Sequence, residues 1–253
     1  MNAEAQKAAE CLVASKHTVA LTGAGISVES GIPPFRGPGS LWEKFDPMEY
    51  AHINSFMANP EKVWKEFIAD MGETLRQAEP NAAHQGLARL EQLERLHTVI
   101  TQNIDGLHQR AGNTDVIEFH GNFAWLSCLL CGIRKPSASI DPSMMPPRCD
   151  CGGIFRPDCV FFGEMIPSEA LNRSRQVSTR CDVMLVVGTS AVVQPAAFMP
   201  VIARQSGATV IEVNPEPTPL TGSTSHLLVR GPAGEVMPEI VSALEALLEK
   251  KTQ

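Results

Sequence analysis

The sequence lacks the features that place a chain in a membrane or direct it out of the cell. No run of apolar residues approaches the eighteen that a spanning helix needs, which excludes a membrane span. The first twenty residues carry polar side chains throughout and no compact apolar segment, so no secretory signal is expected. Internal repeats and low-complexity tracts are also absent. We expect a compact, monomeric protein of the cytoplasm.

Blocks of Lys and Arg are missing as well. The chain has 21 basic and 28 acidic residues, so its formal charge is −7. An acidic chain without a basic patch is poorly suited to sequence-independent nucleic-acid binding, and we expect no direct nucleic-acid or membrane partner. Apolar residues at 43% and charged residues at 19% indicate a globular chain, because a disordered one has fewer apolar groups.

Cysteine is present in an odd number, seven, which argues against a disulfide framework in a chain without an export signal. Four of them form the pairs Cys128-Leu-Leu-Cys131 and Cys149-Asp-Cys151. Two pairs at this separation can surround one Zn²⁺ as a tetrahedron, and an all-cysteine set suits a closed structural site. A metal would also stabilise a segment that has few large apolar residues. The alternative is a set of reduced structural thiols.

Predicted strands alternate with predicted helices along most of the chain, which indicates a doubly wound parallel sheet. Helical spacing covers residues 3–15, 60–77, 81–96, 105–111, 195–206 and 235–250. Strands are predicted at residues 18–22, 97–103, 115–121, 182–190, 208–214 and 226–231. Two insertions, roughly 34–85 and 122–163, interrupt this α/β core.

Small or hydrogen-bonding residues lie at the carboxyl ends of four of the predicted strands. They are Gly23-Ala24-Gly25, Gln102-Asn103-Ile104-Asp105, Gly188-Thr189-Ser190 and Asn214-Pro215-Glu216. Ligands of open parallel sheets bind beyond the carboxyl ends of the strands, so these four ends predict one nucleotide crevice. The glycine turn alone is weak evidence, because Val28 breaks the dinucleotide fingerprint and no P-loop lysine follows. Taken by itself, it is explained equally well as an ordinary strand-to-helix turn.

His120 lies at the carboxyl end of the predicted strand 115–121, next to Gly121. A histidine in that position points toward the crevice, and an ordinary imidazole pKa near ~6.5 suits a general base. Position alone does not decide the role. Six other histidines compete, with surface or helix-capping roles expected: His17, His52, His84, His97, His108 and His226.

Five segments carry a more specific signal. They are TGAGISVESGIPPFRG (22–37), TQNIDGLHQRAG (101–112), EFHGNF (118–123), RPDCVFFGE (156–164) and LVVGTSAVVQPAA (185–197). In content and order they resemble the sirtuin family of NAD-dependent protein-lysine deacylases, over about residues 8–245. The resemblance implies a Rossmann-like NAD domain built from 1–33, 86–121 and 164–253. It also implies a small domain, with a cofactor loop and helical module at 34–85 and a zinc-binding module at 122–163.

The resemblance further implies the roles of individual residues. His120 and Asn103 would be catalytic, and Asn103 and Asp105 would bound the nicotinamide pocket. The residues implied for NAD binding are Gly23, Ala24, Gly25, Ser27, Phe35, Arg36, Gln102, Asn103, Ile104, Asp105, Gly188, Thr189, Ser190, Asn214, Glu216 and Ala233. The residues implied to pair with the backbone of an acyl-lysine peptide are Val160, Phe162, Gly163 and Glu164.

The implied reaction uses NAD as co-substrate and keeps zinc structural. Loss of nicotinamide leaves oxocarbenium character on the sugar, as in glycoside cleavage. The acyl oxygen of the substrate is a weak nucleophile, so positioning must supply much of the rate. His120 would then deprotonate the ribose hydroxyls, and the products would be lysine, nicotinamide and O-acyl-ADP-ribose. Mono-ADP-ribosyl transfer to a protein and a non-catalytic NAD-sensing module are the alternatives.

Two positions bear on specificity and on redox chemistry. Relatives that remove acidic acyl groups carry a Tyr and an Arg at the positions that spacing gives to Phe67 and Asp70. We therefore expect a preference for acetyl or uncharged longer acyl groups, although Phe67 could equally pack in the helical core. Cys159 replaces a β-branched residue of the family, either as a packing substitution or as a redox switch.

Overall fold

The computed structural model describes residues 2–35, 39–141 and 144–252. The strands are β1 Thr18–Thr22, β2 Thr98–Thr101, β3 Val116–Glu118, β4 Gly121–Cys128, β5 Arg134–Pro136, β6 Phe155–Cys159, β7 Val183–Val187, β8 Thr209–Asn214 and β9 Leu227–Arg230. The α-helices are α1 Ala3–Ala14, α2 Leu41–Lys44, α3 Pro47–Tyr50, α4 Ile53–Ala58, α5 Pro60–Val63, α6 Ala69–Gln77, α7 Ala82–Gln92, α8 Leu107–Ala111, α9 Ser168–Arg180, α10 Met199–Gln205 and α11 Ala233–Thr252. None of the helices in these described ranges is long and apolar enough to cross a membrane.

Six parallel strands form the large sheet in the order β3-β2-β1-β7-β8-β9. Every residue of β1 and β7 is buried. Such strands need cover on both faces of a sheet. Helices α1, α7 and α11 pack on one face, and α9 and α10 pack on the other. The strand order reverses between β1 and β7, where doubly wound sheets bind their ligands. The predicted Rossmann-like fold class is confirmed.

Strands β4, β5 and β6 form a second, antiparallel sheet in the order β5-β4-β6. Its apolar side shares one core with helices α4 to α6. The indole Nε1 of Trp64 donates to the carbonyl oxygen of Phe155 at 2.9 Å and so joins the two parts. This shared core explains how two insertions that are far apart in the sequence build one small domain.

The predicted helix over 60–77 is present, and Asn59 caps its start. The side chain of Asn59 accepts from the amide of Lys62 at 3.1 Å, and Pro60 is the first helical residue. Between α5 and α6 the helix runs through a π-helical turn, Trp64–Ile68. Such turns often occur where a helix presents side chains to a functional site. Sequence spacing does not reveal this turn, because the apolar positions stay in phase.

Several elements differ from prediction. A 3₁₀ helix, Ala24–Ser30, follows β1, where no helix was predicted. Helix α9 was not predicted, because two of its buried positions are Ser174 and Ser178, which break the apolar period. The small sheet and helices α2 to α4 were also not predicted, since each of these elements spans only three to eight residues, too few for a clear apolar period.

Candidate functional site

A cavity of about 440 Å³ lies at the carboxyl ends of the strands and extends to the small domain. Residues from all four predicted strand ends line it. They are joined there by His120, the aromatic residues Phe35, Trp42, Phe67 and Phe162, and the segment Cys159, Val160, Phe161, Gly163 and Glu164. The sequence prediction of one shared crevice therefore agrees with the geometry.

Glycines at the strand switch point let two loops touch through their backbones. The amide of Gly25 donates to the carbonyl oxygen of Gly188 at 2.7 Å. A Cβ at position 25 would lie 2.7 Å from that oxygen, and a Cβ at Gly188, whose φ is +59°, would lie 2.3 Å from the nitrogen of Ile26. No other residue fits either position without moving the backbone.

A hydrogen-bonded group occupies the loop after β2. The side-chain amide of Asn103 donates to the carbonyl of Gly23 at 3.2 Å and to Oγ of Ser27 at 3.0 Å. The same Ser27 hydroxyl donates to a carboxylate oxygen of Asp105 at 2.8 Å. Gln102 donates to Oγ1 of Thr189 at 3.1 Å. These bonds fix the polar side chains before any ligand arrives, and they leave the amide oxygen of Asn103 as an acceptor.

The ring of His120 borders the cavity with one nitrogen already engaged. Nδ1 donates to the carbonyl oxygen of Gln102 at 2.9 Å, since a carbonyl can only accept. This bond selects the tautomer in which Nε2 carries the free lone pair. Burial lowers the pKa of His120, and the bond to Gln102 opposes that shift only in part. The ring is therefore neutral near pH 7, which is the form a general base needs.

A short extended segment forms the wall opposite the sheet. The amide of Val160 donates to the carbonyl of His120 at 2.8 Å, and the amide of Phe162 donates to Ala51 at 2.8 Å. Glu164 does not reach toward the cavity as a free carboxylate. Arg156 donates to both of its oxygens, at 2.5 and 2.6 Å, and the amide of Phe161 donates to it at 2.8 Å. Burial would raise the pKa of Glu164, but Arg156 and the amide together lower it.

Aromatic rings close the end of the cavity near the small domain. Phe35 stacks on Trp42 at 5.3 Å between ring centroids, and Trp42 stacks on Phe67 at 6.1 Å. Phe67, Ile68 and Met71 line the cavity from the π-helical turn and the start of α6. A second cavity of about 200 Å³ continues past Phe67 toward Asp70 and is bordered by Asn103 and Asp105.

The four clustered cysteines meet at one point of the small domain. Their sulfur atoms all lie within 4.8 Å of one another, with Cys128 to Cys151 at 3.6 Å and Cys131 to Cys149 at 3.8 Å. With Zn–S bonds of about 2.3 Å, tetrahedral sulfurs stand roughly 3.8 Å apart. The amide of Leu130 also points at the sulfur of Cys128, at 3.4 Å, as suits a thiolate. The donor set and its spacing fit a structural zinc ion.

Comparison with known proteins identifies the family. The model of the Sir2 family matches residues 23–195. The chain is 48% identical over 238 residues to NAD-dependent protein deacylase 1 of Archaeoglobus fulgidus, covering 93% of this chain and 96% of the relative. It is 43% identical over 248 residues to NAD-dependent protein deacylase 2 of Pyrobaculum aerophilum, covering 96% and 97%. The chain belongs to the Sir2 family.

Solved structures of Sir2 proteins have the same fold. A Sir2 homologue in complex with NAD gives a TM-score of 0.89 at 46% identity, covering 96% of this chain and 94% of that one. A Sir2 protein with a deacetylated p53 peptide and 3′-O-acetyl ADP-ribose gives 0.88 at 38% identity, covering 94% and 97%.

Some predicted site residues of this Sir2 protein lie apart from the cavity wall. Glu216 forms an exposed ion pair with Arg230, at 3.1 Å. Ala233 is buried at the start of α11. Ser27 and Asp105 line the second cavity, not the first. Arg36 lies outside the described residues. The remaining NAD and peptide positions border the main cavity, and their individual roles remain predictions.

Sequence reasoning missed several residues of the wall and misplaced one histidine. Trp42 and Ala51 line the cavity but belong to no motif, and Gln194 does so from within the fifth segment quoted above. A surface or capping role is expected for both His84 and His108. His84 is buried but takes part in the cap of α7, as expected, whereas His108 is buried and caps no helix of the described residues. Burial lowers the pKa of His84 to about 4 and that of His108 to about 3.

Cys159 borders the cavity, but burial raises the pKa of its thiol to about 12. A thiol that stays protonated near pH 7 is a poor nucleophile. This favours the packing interpretation over the redox switch.

Proposed function

We infer that this chain is an NAD-dependent protein deacylase, and we propose a role for each group of site residues. The main supporting observation is the neutral ring of His120. Its Nδ1 is hydrogen-bonded to the carbonyl of Gln102, and its Nε2 is free at the edge of the cavity. NAD, when bound, supplies a sugar carbon that becomes electrophilic as nicotinamide leaves, and it accepts the acyl group.

The strand ends bind and orient the cofactor. Gly23, Gly25 and Gly188 let the loops after β1 and β7 touch through their backbones. This contact brings Ala24, Thr189 and Ser190 to the cavity on the phosphate side. Thr189 and Ser190 offer hydroxyl donors to phosphate oxygens, and Asn214 offers an amide to ribose. Asn103 and Asp105, held by Ser27, bound the nicotinamide end.

His120 moves the proton. In its neutral form Nε2 takes a proton from a ribose hydroxyl, and the carbonyl of Gln102 holds the resulting imidazolium through Nδ1. A positioned base of this kind contributes about 10²–10⁴-fold to rate.

The acyl-lysine peptide lies between the two domains. It pairs with the backbone near Val160 and Gly163 as an added strand, so recognition depends on main-chain groups more than on side chains. Glu164 acts within this segment as the partner of Arg156 and keeps the turn rigid. The acyl chain enters between His120 and the apolar wall of Phe67, Ile68 and Met71.

Zinc, held by Cys128, Cys131, Cys149 and Cys151, orders the module that carries part of this wall. It takes no part in the chemistry. The predicted domain limits (1–33, 86–121 and 164–253; 34–85; 122–163), the monomeric state, the cytoplasmic location and the lack of a nucleic-acid partner stay predictions.

One mass spectrum tests the function. An acetyl-lysine peptide is incubated with NAD and the protein, and the same peptide without NAD is the control. NAD-dependent loss of the acetyl mass, with appearance of O-acetyl-ADP-ribose, is the expected result. A peptide that gains an ADP-ribose mass would mean mono-ADP-ribosyl transfer, and an unchanged peptide would favour the sensing module.

A further inference from the structure

Three buried polar side chains lie directly behind Asn103 and have no role in the function proposed above. Thr22 and Thr101 end strands β1 and β2, and His108 lies in α8. Their exposed fractions are 0%, 4% and 1%. None of the three borders either cavity described above. Buried polar groups cost free energy unless they are hydrogen-bonded, so their partners are informative.

Their partners form one continuous line. Oγ1 of Thr22 lies 2.9 Å from Nε2 of His108 and 2.9 Å from Oγ1 of Thr101. The same Thr101 oxygen accepts the backbone amide of Asn103 at 3.1 Å. Burial, reinforced by the neighbouring ring of His84, lowers the pKa of His108 to about 3, so the ring is neutral. A neutral ring and two hydroxyls can share protons along the line without burying a charge.

This hydrogen-bonded line ends at the carboxyl ends of β1 and β2, where both strands leave the large sheet. Thr22 and Thr101 are register partners in the parallel pair of β1 and β2. Beyond them, Gly23 and Asn103 approach each other through the side chain of Asn103. The Thr101 hydroxyl therefore fixes the main chain of Asn103 on one side, while Gly23 and Ser27 fix its side chain on the other.

We propose that Thr22, Thr101 and His108 are positioning residues, whose hydrogen-bonded line sets the angle at which Asn103 meets the nicotinamide end of NAD. This inference rests on the proposed function, because it assigns a purpose to the orientation of Asn103. A role in packing alone needs only the shape of the threonines. A positioning role needs their hydroxyl groups.

The chain supplies matched controls for that distinction. The same two strands begin with Thr18 and Thr98, which are 0% and 3% exposed. Their hydroxyls donate to Ser15 at 2.8 Å and to Asp115 at 2.7 Å, at the far end of the sheet. Valine has nearly the shape of threonine without its hydroxyl, so each substitution removes the same group from the same strand.

The test compares Thr101→Val with Thr98→Val, and Thr22→Val with Thr18→Val. We expect Thr101→Val to lower kcat on an acetyl-lysine peptide about tenfold or more, since small misplacements at a reacting centre are costly. Nicotinamide titrated into the ADP-ribose complex should bind correspondingly more weakly, while ADP-ribose itself binds within about twofold of wild type. Thr101→Ser should restore kcat, and both far-end variants should stay within about twofold.

The inference is overturned if folded Thr101→Val keeps wild-type kcat and nicotinamide affinity. It is also overturned if Thr98→Val lowers kcat and nicotinamide affinity as much as Thr101→Val does. Should Thr101→Val fail to fold, Thr22→Val and His108→Gln decide by the same two readouts. A wild-type protein without deacylase activity would count against the proposed function instead. The calorimetric titrations of ADP-ribose and nicotinamide would then still decide the positioning role.

Discussion

The two sheets of the molecule hold their shape by different means. The six-stranded sheet is covered by apolar side chains on both faces. The three-stranded sheet has apolar cover only where it meets helices α4 to α6, and both cysteine pairs expose one member each. The proposed chemistry lies on the large sheet, whose two faces are both covered by apolar side chains. The proposed peptide-binding segment follows β6 of the small sheet, which shares its core with helices α4 to α6 and whose module carries the four cysteines that fit a zinc ion. Specificity can therefore change without disturbing the reacting groups.

Zinc removal should give the largest difference in stability between the two sheets. Chelation, or the Cys128→Ala/Cys149→Ala double variant, should unfold residues 121–159 and abolish activity, because a structural zinc contributes free energy of about 10 kcal/mol or more to such modules. Hydrogen exchange should show the six-stranded sheet still protected. The control is Cys181→Ala, a buried cysteine of the large domain. Active protein without zinc, or full activity of the double variant, would contradict this.

His120→Ala should abolish chemistry while leaving both sheets intact. We expect kcat to fall about 10²–10⁴-fold, with ADP-ribose affinity and thermal unfolding close to wild type. His226→Ala is the comparison, since His226 is exposed and precedes β9 at the opposite end of the sheet. Turnover like that of wild type in His120→Ala would remove this residue from the mechanism.

Gly188→Ala should show how tightly the large sheet is packed at its switch point. The added Cβ would meet backbone atoms of Gly25 and Ile26, and the residue would sit at positive φ. We expect the free energy of unfolding to drop by about 3 kcal/mol or more, with loss of NAD binding. Gly207→Ala, which has positive φ but nothing within 4 Å, should cost only about 1 kcal/mol. An equal drop in the free energy of unfolding for the two variants would contradict the close contact between Gly188 and the backbone of Gly25 and Ile26.

Acyl preference probes the wall of the small domain. An acetyl-lysine peptide should exceed its succinyl counterpart in kcat/KM by about tenfold or more, a difference of 1.4 kcal/mol. Phe67 offers no hydrogen bond to a carboxylate, and Asp70 would repel one. The double variant Phe67→Tyr/Asp70→Arg should reduce the ratio of acetyl to succinyl kcat/KM. Asp70→Asn alone should reduce this ratio less. A succinyl value equal to the acetyl value in wild type would overturn the inference.

The pH profile is the mildest test and concerns the large sheet alone. The base must be neutral, so kcat/KM falls as pH drops through the pKa of His120. Burial lowers that pKa, and the acid limb should therefore have its midpoint below the ordinary value of about 6.5. A midpoint above 6.5 would mean that the ring is not desolvated as described.

Prediction from sequence worked best where one residue type serves one physical purpose. The glycines and amides at the strand ends predicted the crevice. The four cysteines in two pairs predicted the metal-binding cluster. It revealed less where one residue serves two purposes. Glu164 stays a predicted peptide-binding residue, and the sequence does not show that its carboxylate pairs with Arg156. His108 stands in a recognised motif, yet its role depends on Thr22, which is far away in the sequence. Such pairings depend on topology, which a linear pattern does not contain.

The contact between Gly25 and Gly188 also constrains how the protein is made. Strand β1 leaves the ribosome early, but its neighbour β7 and the loop that completes the phosphate side follow only after both insertions and α9. A nascent chain that ends before residue 188 therefore lacks one wall of the crevice. NAD therefore cannot assist folding during most of synthesis. The zinc ligands all precede residue 152, so their module can be complete before the cofactor site exists.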